Sequence, residues 1–411
     1  MFIPNLRFNE FNGSWTTKKI DEIAIVTSGG TPSRNIAKYW NGNIPWVTTS
    51  LVDFNIISNA EEFITQEGVD NSSAKLFPKN TILMAMYGQG ITRGKVAILN
   101  IEATTNQACA AIKLKDGLNS HFVFQNLMNR YEEIRDLSND GGQKNLSAGI
   151  IKDILISFPS KLEQTKIASF LSTVDEKISQ LTRKHELLSQ YKQGMMQKLF
   201  SQQIRFKVDD GSEFGEWKDH KIFDLAKDRT LNNGVFNDQN KVGTGYKLIN
   251  VLDMYIKRDI DESKLSLLDL DKKEFEKNKV NYGDIFFTRS SLVKEGIAFS
   301  NVYLGVSNDI TYDGHLIKLS PDLNTVEPKF LNYCLKVAYV RKQLIQGGKT
   351  ATMTTIGQQE VGNTLVKMPC LEEQTKIANF LSAIDQKIEV VAQQIEQAKQ
   401  WKKGLLQQMF V

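Results

Sequence analysis

The sequence predicts a mixed α/β (α+β) protein in which two globular domains alternate with two long helices that pair as an antiparallel coiled coil. Three observations carry that expectation. Residues 164–200 (QTKIASFLSTVDEKISQLTRKHELLSQYKQGMMQKLF) and 374–410 (QTKIANFLSAIDQKIEVVAQQIEQAKQWKKGLLQQMF) are two copies of one helical segment, 210 positions apart. Each copy closes one half of the 411-residue chain, so the protein is a tandem repeat with a pseudo-two-fold axis. Ahead of each copy lie short β-rich runs, glycine-punctuated turns and polar tips, the pattern of a mixed domain with recognition loops. The expected boundaries are 1–158 and 201–368 for the domains, 159–200 and 369–411 for the helices.

The helices justify themselves by spacing. Ile167, Leu171, Val174, Ile178, Leu181, His185, Leu188, Lys192, Met195 and Leu199 form one seam. Ile377, Leu381, Ile384, Ile388, Val391, Ile395, Ala398, Lys402, Leu405 and Met409 form the other. A period of about 3.5 residues held this long indicates a coiled coil rather than an isolated surface helix. At 1.5 Å per residue each seam runs roughly 50 Å. Pro159 and Pro369, at matched positions, stop any upstream helix from running in. Lys192 and Lys402 share one register, and Gly194 and Gly404 follow them. A mid-helix glycine costs about 1 kcal/mol against alanine, so its recurrence points to close helix approach there, the alternative being inheritance from one ancestral repeat without a present role.

The two globular segments are weaker copies. Arg7-Phe8 recurs as Arg205-Phe206, and Gly13-Ser14-Trp15 as Gly215-Glu216-Trp217. IPWVTTSLVD (44–53) faces YKLINVLDM (246–254), and NTILMAMYGQGITRGKVAI (80–98) faces GDIFFTRSSLVKEGIAF (283–299). A shared frame with divergent loops suits two readers of different ligands. The two-fold frame suits a two-sided partner such as double-stranded DNA.

Composition permits this partner without demanding it: the net charge is +4 and the pI near 8.6. Cys109, Cys334 and Cys370 are too few for a disulfide framework or a four-cysteine zinc site, which points to a reducing cytoplasm. No apolar run approaches membrane-spanning length and no secretory leader is recognisable, so no membrane role is expected.

Catalytic equipment is not expected. GQGITRGKV (88–96) imitates a phosphate loop but lacks Ser or Thr after Gly-Lys. QLIQGGKT (343–350) has Gln343 where the first glycine belongs and follows a helical pattern rather than a strand. The four histidines, His121, His185, His220 and His315, show no metal-ligand spacing. His185 falls on the seam where Ile395 stands in the other copy, a position that sets register.

The loops carry the candidate contacts. Thr31, Ser33, Arg34 and Lys38 lie on the loop SGGTPSRNIAKYW (28–40), and Thr48 follows in the next stretch. Gln89, Thr92, Arg93 and Lys95 occupy a second loop, and Gln143 and Lys144 a third. In the second domain the set is Asn250, then Thr288, Arg289, Ser290, Ser291 and Lys294, then Lys349, Thr350, Thr352 and Thr354. Arginine bonds guanine bidentately and Asn or Gln bonds adenine, while Ser, Thr and Lys mainly hold phosphates.

With these residues in view, the chain resembles the specificity subunits of type I restriction–modification systems. The resemblance covers essentially the whole chain. It rests on the repeated helix opening with Glu163-Gln164 and Glu373-Gln374 and on SGGTPSRNIAKYWNGNIPWVTTSLVD (28–53). The second domain departs from it, with LNNGVFNDQ (231–239) in place of the Gly-Thr-Pro-Ser loop. The resemblance implies two target-recognition domains, each reading half of a bipartite DNA site, with the helices setting the spacer. It implies two methylation (M) subunits and restriction (R) subunits as partners. It also implies that S-adenosylmethionine, ATP and Mg act only in those partners, leaving this chain non-catalytic. The rival reading is a coiled-coil adaptor whose heads bind proteins; salt-sensitive DNA binding discriminates the two.

Overall fold

The computed structural model describes residues 4–88, 91–137, 145–256 and 258–410. It resolves into two compact units, Met1–Thr182 with Gln393–Val411, and Arg183–Ala392. Each unit therefore holds one globular domain, the start of the helix that follows it and the end of the other helix. The long helices run over Lys161–Phe200 and Leu371–Met409.

In the first unit, a five-stranded sheet has the order Ala24–Ser28, Cys109–Leu114, Ile82–Ala85, Val96–Leu99, Ile56–Ile57. A three-stranded sheet sets Trp40–Val47 between Glu62–Ile64 and Thr104–Thr105. The edge strand Thr16–Lys19 pairs antiparallel with Leu155–Phe158, which leads directly into the long helix. The second unit repeats this plan. A four-stranded sheet has the order Ala226–Asn233, Leu316–Pro321, Ile285–Thr288, Ser300–Val302, and Val242–Ile249 lies between Ser266–Leu268 and Ile310–Tyr312. Lys218–Lys221 pairs with Leu365–Met368.

The helix seams do more than pair with each other. Ile167, Leu171 and Val174 sit in one core with Ile82, Ile112 and Phe122 of the domain and Leu405, Leu406, Met409 and Phe410 from the end of the other helix. In the second unit Ile377, Leu381 and Ile384 share a core with Ile285, Phe287, Phe330, Leu199 and Phe200. A fully buried Leu or Ile contributes about 1.5–3 kcal/mol, so these seam residues fasten each helix to its domain as well as to its partner. Leu181 and Val391 are also buried, and Ile178, Leu188, Ile388 and Ile395 are half-buried.

The helix opening is locked in the same way twice. Glu163 is buried and takes a two-pronged ion pair from Arg7, both contacts 2.7 Å, while Arg7 Nη2 also donates to Gly13 O. Glu373 receives Arg205 at 3.1 and 2.7 Å, and Arg205 Nη2 donates to Gly215 O. Beside them the buried amide of Gln164 accepts from Asn119 N at 2.9 Å and donates to Pro159 O at 2.9 Å. Gln374 accepts from Glu327 N and donates to Pro369 O, each at 2.9 Å. The repeated Glu-Gln pair is thus a joint between domain and helix.

One expectation is corrected. A Cβ added at Gly194 or Gly404 would meet nothing within 4 Å, so neither glycine marks a close helix approach. The repeated lysines before them are what makes contact: Lys402 pairs with Asp175 in the first unit and Lys192 with Asp385 in the second, each at 2.6 Å.

Candidate nucleic-acid interface

Both domains hang their loops from the same backbone bonds. In the first, Gly30 N donates to Thr105 O, Met86 N to Ala108 O, and Leu146 N to Met86 O, at 2.8–2.9 Å. In the second, Val235 N donates to Tyr312 O, Arg289 N to His315 O, and Ile356 N to Arg289 O, at 2.9–3.0 Å. The close approach at the first loop requires glycine. A Cβ at Gly29 would lie 2.0 Å from Thr105 O, and one at Gly234 would lie 2.0 Å from Tyr312 O. Sequence comparison of the loops themselves misses this match, because only the glycine and the main-chain partners are shared.

In the first domain, Thr31, Ser33, Arg34 and Lys38 fall together on the first loop. The Arg34 guanidinium lies 3.7 Å from the Trp40 ring centroid and forks onto Glu62, with Nη2 2.9 Å from Oε2. That hydrogen bonding holds the Glu62 carboxyl below its ordinary range. Lys38 pairs with Glu67, and the Thr31 hydroxyl donates to Gln107, a residue the sequence did not single out. Ser33 is exposed, and its carbonyl accepts from Trp40 Nε1 at 3.1 Å. Thr48 is half-buried beside Ser50. Lys95 is held against Asp53 at 2.6 Å, and Thr92 is half-buried. Arg93 is a correction: it turns inward and donates to Arg135 O at 3.2 and 3.0 Å, satisfying a helix-end carbonyl rather than projecting from a tip. Gln89, Gln143 and Lys144 lie outside the described residues.

In the second domain a small sheet gathers residues far apart in sequence: Ser290–Ser291 pairs with Thr354–Thr355, which pairs with Lys349–Thr350. A concavity of about 480 Å³ beside it is lined by Arg289, Ser290, His315, Lys349, Thr355 and Glu360. Arg289 is exposed, and Lys349 stands 3.2 Å from Glu360. The Glu360 carboxyl is held below its ordinary range by its own backbone amide first and by Lys349 second. His315 was not predicted to contribute. Buried Asp313 accepts from its backbone N at 2.7 Å and contacts Nδ1 at 2.8 Å, fixing the ring at the concavity. Asn237 Nδ2 bridges Asp313 at 3.0 Å and Asn250 Oδ1 at 2.9 Å, and Asn250 Nδ2 donates to Ser266. Asn250 is therefore a buttress behind the surface as much as a contact.

Thr288 is a second correction. It ends the strand Ile285–Thr288 fully buried, and its hydroxyl accepts from Phe299 N at 2.9 Å. Lys294 and Thr352 are exposed but lie outside the concavity, and Thr354 is buried in the small sheet. The set at and beside the concavity offers Arg and Lys cations, hydroxyls and an imidazole, the chemistry of hydrogen bonding to base edges and phosphates. Among the described residues no group of three His, Cys, Asp or Glu is placed to hold a metal, and no helix is long and apolar enough to cross a membrane.

Comparisons with known proteins give the family and the fold. The family model described as the type I restriction modification DNA specificity domain matches twice, at residues 12–189 and 215–400. The MjaIX specificity subunit of Methanocaldococcus jannaschii is 26% identical, over 95% of this chain and 91% of the relative. The EcoR124I/EcoR124II specificity subunit of Escherichia coli is 29% identical over 43% of this chain and 44% of its own length. The crystal structure of a type I restriction-modification S subunit from M. genitalium superposes with a TM-score of 0.63 at 16% identity, covering 100% of this chain and 99% of that one.

Proposed function

This chain belongs to the type I restriction modification DNA specificity family, and on that premise we propose that each globular domain reads one half of a bipartite duplex site while the paired helices set the unread spacer. As a specificity subunit it is the non-catalytic component of its system. The observation that carries the proposal is the contrast between anchors and tips. The same main-chain bonds suspend the loops in both domains, yet the side chains they display differ: Arg34 stacked on Trp40 in one, Arg289 with His315 and Lys349 in the other. Identical suspension with unlike tips is what two readers of unlike half-sites need. In this scheme two methylation subunits bring S-adenosylmethionine to adenine, and restriction subunits bring ATP and Mg; this chain supplies position and sequence choice.

The test is binding to a duplex carrying both half-sites, identified from the methylated motif in cells expressing the chain. Affinity for that duplex should exceed affinity for a scrambled one and should fall steeply with salt. Arg289→Ala should cost about 1–3 kcal/mol against the base it contacts, relaxing one half-site and leaving the other unchanged. Loss of discrimination at both half-sites together would sink the modular reading. The adaptor reading has no such observation behind it.

A further inference from the structure

The second unit contains a cavity lined by none of the residues assigned above to DNA contact. This cavity, of about 820 Å³, opens between the C-terminal half of the first long helix and the helix Pro328–Cys334 with the turn after it. Met196, Phe200, Val337 and Tyr339 give it an apolar part, and Lys192, Arg258, Lys329 and Lys336 bring four cations to it. Three of these are already matched. Lys192 lies 2.6 Å from Asp385, Lys329 2.8 Å from Asp259, and Arg258 pairs with Glu389. Lys336 makes no salt bridge within 4 Å among the described residues, although the Asp259 and Asp385 carboxylates act on its charge from farther off; its Nζ lies 5.7 Å from the Phe299 ring centroid. The residue is exposed, yet crowding of its amine by protein first and Lys192 second, against the opposing pull of Asp259 and Asp385, push it down to about 8.

The first unit shows that the shared frame does not require such a cavity. Counting from the matched helix N-caps Asn119 and Glu327, Met128 stands where Lys336 stands and His121 where Lys329 stands. There the end of the long helix closes on the domain: Lys402 Nζ lies 3.9 Å from Met128 Sδ, and Asn129 Nδ2 donates to Leu406 O at 3.4 Å. Among the described residues, the open space and the cation without a salt bridge occur together in the second unit, whereas Met128 stands at the matched position of the first. Four cations meet three ion-paired carboxylates around this cavity, which leaves one positive charge in excess, and an anion is the charge that balances it. The volume is that of a small-molecule site, typically about 300–1,000 Å³ with apolar walls and few polar groups.

We propose that this cavity binds a small organic anion, with an apolar or aromatic body against Phe200 and Tyr339 and a carboxylate, sulfonate or phosphate head on Lys336.

The probe is 8-anilinonaphthalene-1-sulfonate, titrated into the full-length chain and followed by its fluorescence. One saturable site per chain is expected. Lys336→Met, which installs the residue of the first unit, should weaken it at least tenfold, and Lys336→Arg should retain it. The uncharged analogue N-phenyl-1-naphthylamine should bind the wild-type chain at least tenfold more weakly. Equal affinity of the sulfonate for wild type and Lys336→Met, or equal affinity of wild type for the charged and uncharged probes, would mean adsorption to apolar surface and would overturn the proposal. The two-probe comparison on wild type stands even if a variant fails to fold.

Discussion

Lys402 Nζ lies 2.6 Å from Asp175 Oδ1, and Gln125 Nε2 donates to the other oxygen of the same carboxylate at 2.8 Å. One aspartate on the first helix thereby joins a lysine from the second helix to a glutamine of the domain. The second unit repeats the junction with Lys192 on Asp385 at 2.6 Å and the Tyr333 hydroxyl on its second oxygen at 2.6 Å. Burial first, and the Asp385 carboxylate second, oppose ionisation of the buried Tyr333 phenol, so the hydroxyl stays a donor.

These junctions should be measurable by double-mutant cycles. The Lys402–Asp175 pair, with Asp175 40% exposed, should show a coupling of about 0.5–1 kcal/mol in urea denaturation. Lys192–Asp385, with both side chains less than a quarter exposed, should show about 1–2 kcal/mol. Couplings in the reverse order would contradict the burial difference.

Glu373→Gln should be among the most destabilising single-atom changes in the chain. It leaves the Arg205 guanidinium facing a buried amide, and breaking a buried pair on one side costs about 3–5 kcal/mol. The matched Glu163→Gln should cost a similar amount, read from the midpoint of denaturation. A loss under about 1 kcal/mol for both would show that the joint is not set by charge.

Arg34 is exposed yet already committed to Glu62, so DNA contact by Arg34 must break or share that pair. Glu62→Gln should then tighten binding to a duplex containing the half-site of the first domain, by about two- to tenfold at low salt, the range of a partly screened ion pair. Arg34→Ala should abolish that gain. If Glu62→Gln tightened binding equally in the Arg34→Ala background, the effect would be general charge and not release of Arg34.

His121 supplies a pH dependence. Burial disfavours its charged form and lowers its value from the ordinary 6.5. The unfolded chain then takes up a proton more readily than the folded one, so stability increases with pH through this range. The contribution is complete above 6.5 and declines as the pH falls towards the depressed folded value. In His121→Gln the slope of stability between pH 7 and pH 5 should be shallower; an unchanged slope would remove His121 as its source.

The frame of this protein was legible because it is repeated. Spacing placed the long helices, and the Glu-Gln openings marked where they begin, but the partners Arg7 and Arg205 stand some 156 and 168 positions away, so the reason for the motif was not. Lys192 and Lys402 were visible as a repeat, while their aspartates, equally repeated, lie on the opposite helix and carry no local signal. Gly194 and Gly404 repeat without contact, which shows that recurrence is not evidence of packing. Arg93 and Thr288 looked like tip residues by composition; Thr288 completes a strand and Arg93 caps a carbonyl, outcomes decided by tertiary neighbours. His315 escaped notice because Asp313 orients it and Arg289 meets it only through the backbone of the fold.

The loops hang from amide and carbonyl groups of the main chain, at Met86, Ala108 and Leu146 in one domain and at Arg289, His315 and Ile356 in the other. A main-chain bond survives almost any substitution of the side chain beside it. On the proposed reading, side chains at Arg34, Arg289 and Lys349 can change while the main-chain bonds that carry their loops stay in place, so a new specificity need not cost the loop its anchor.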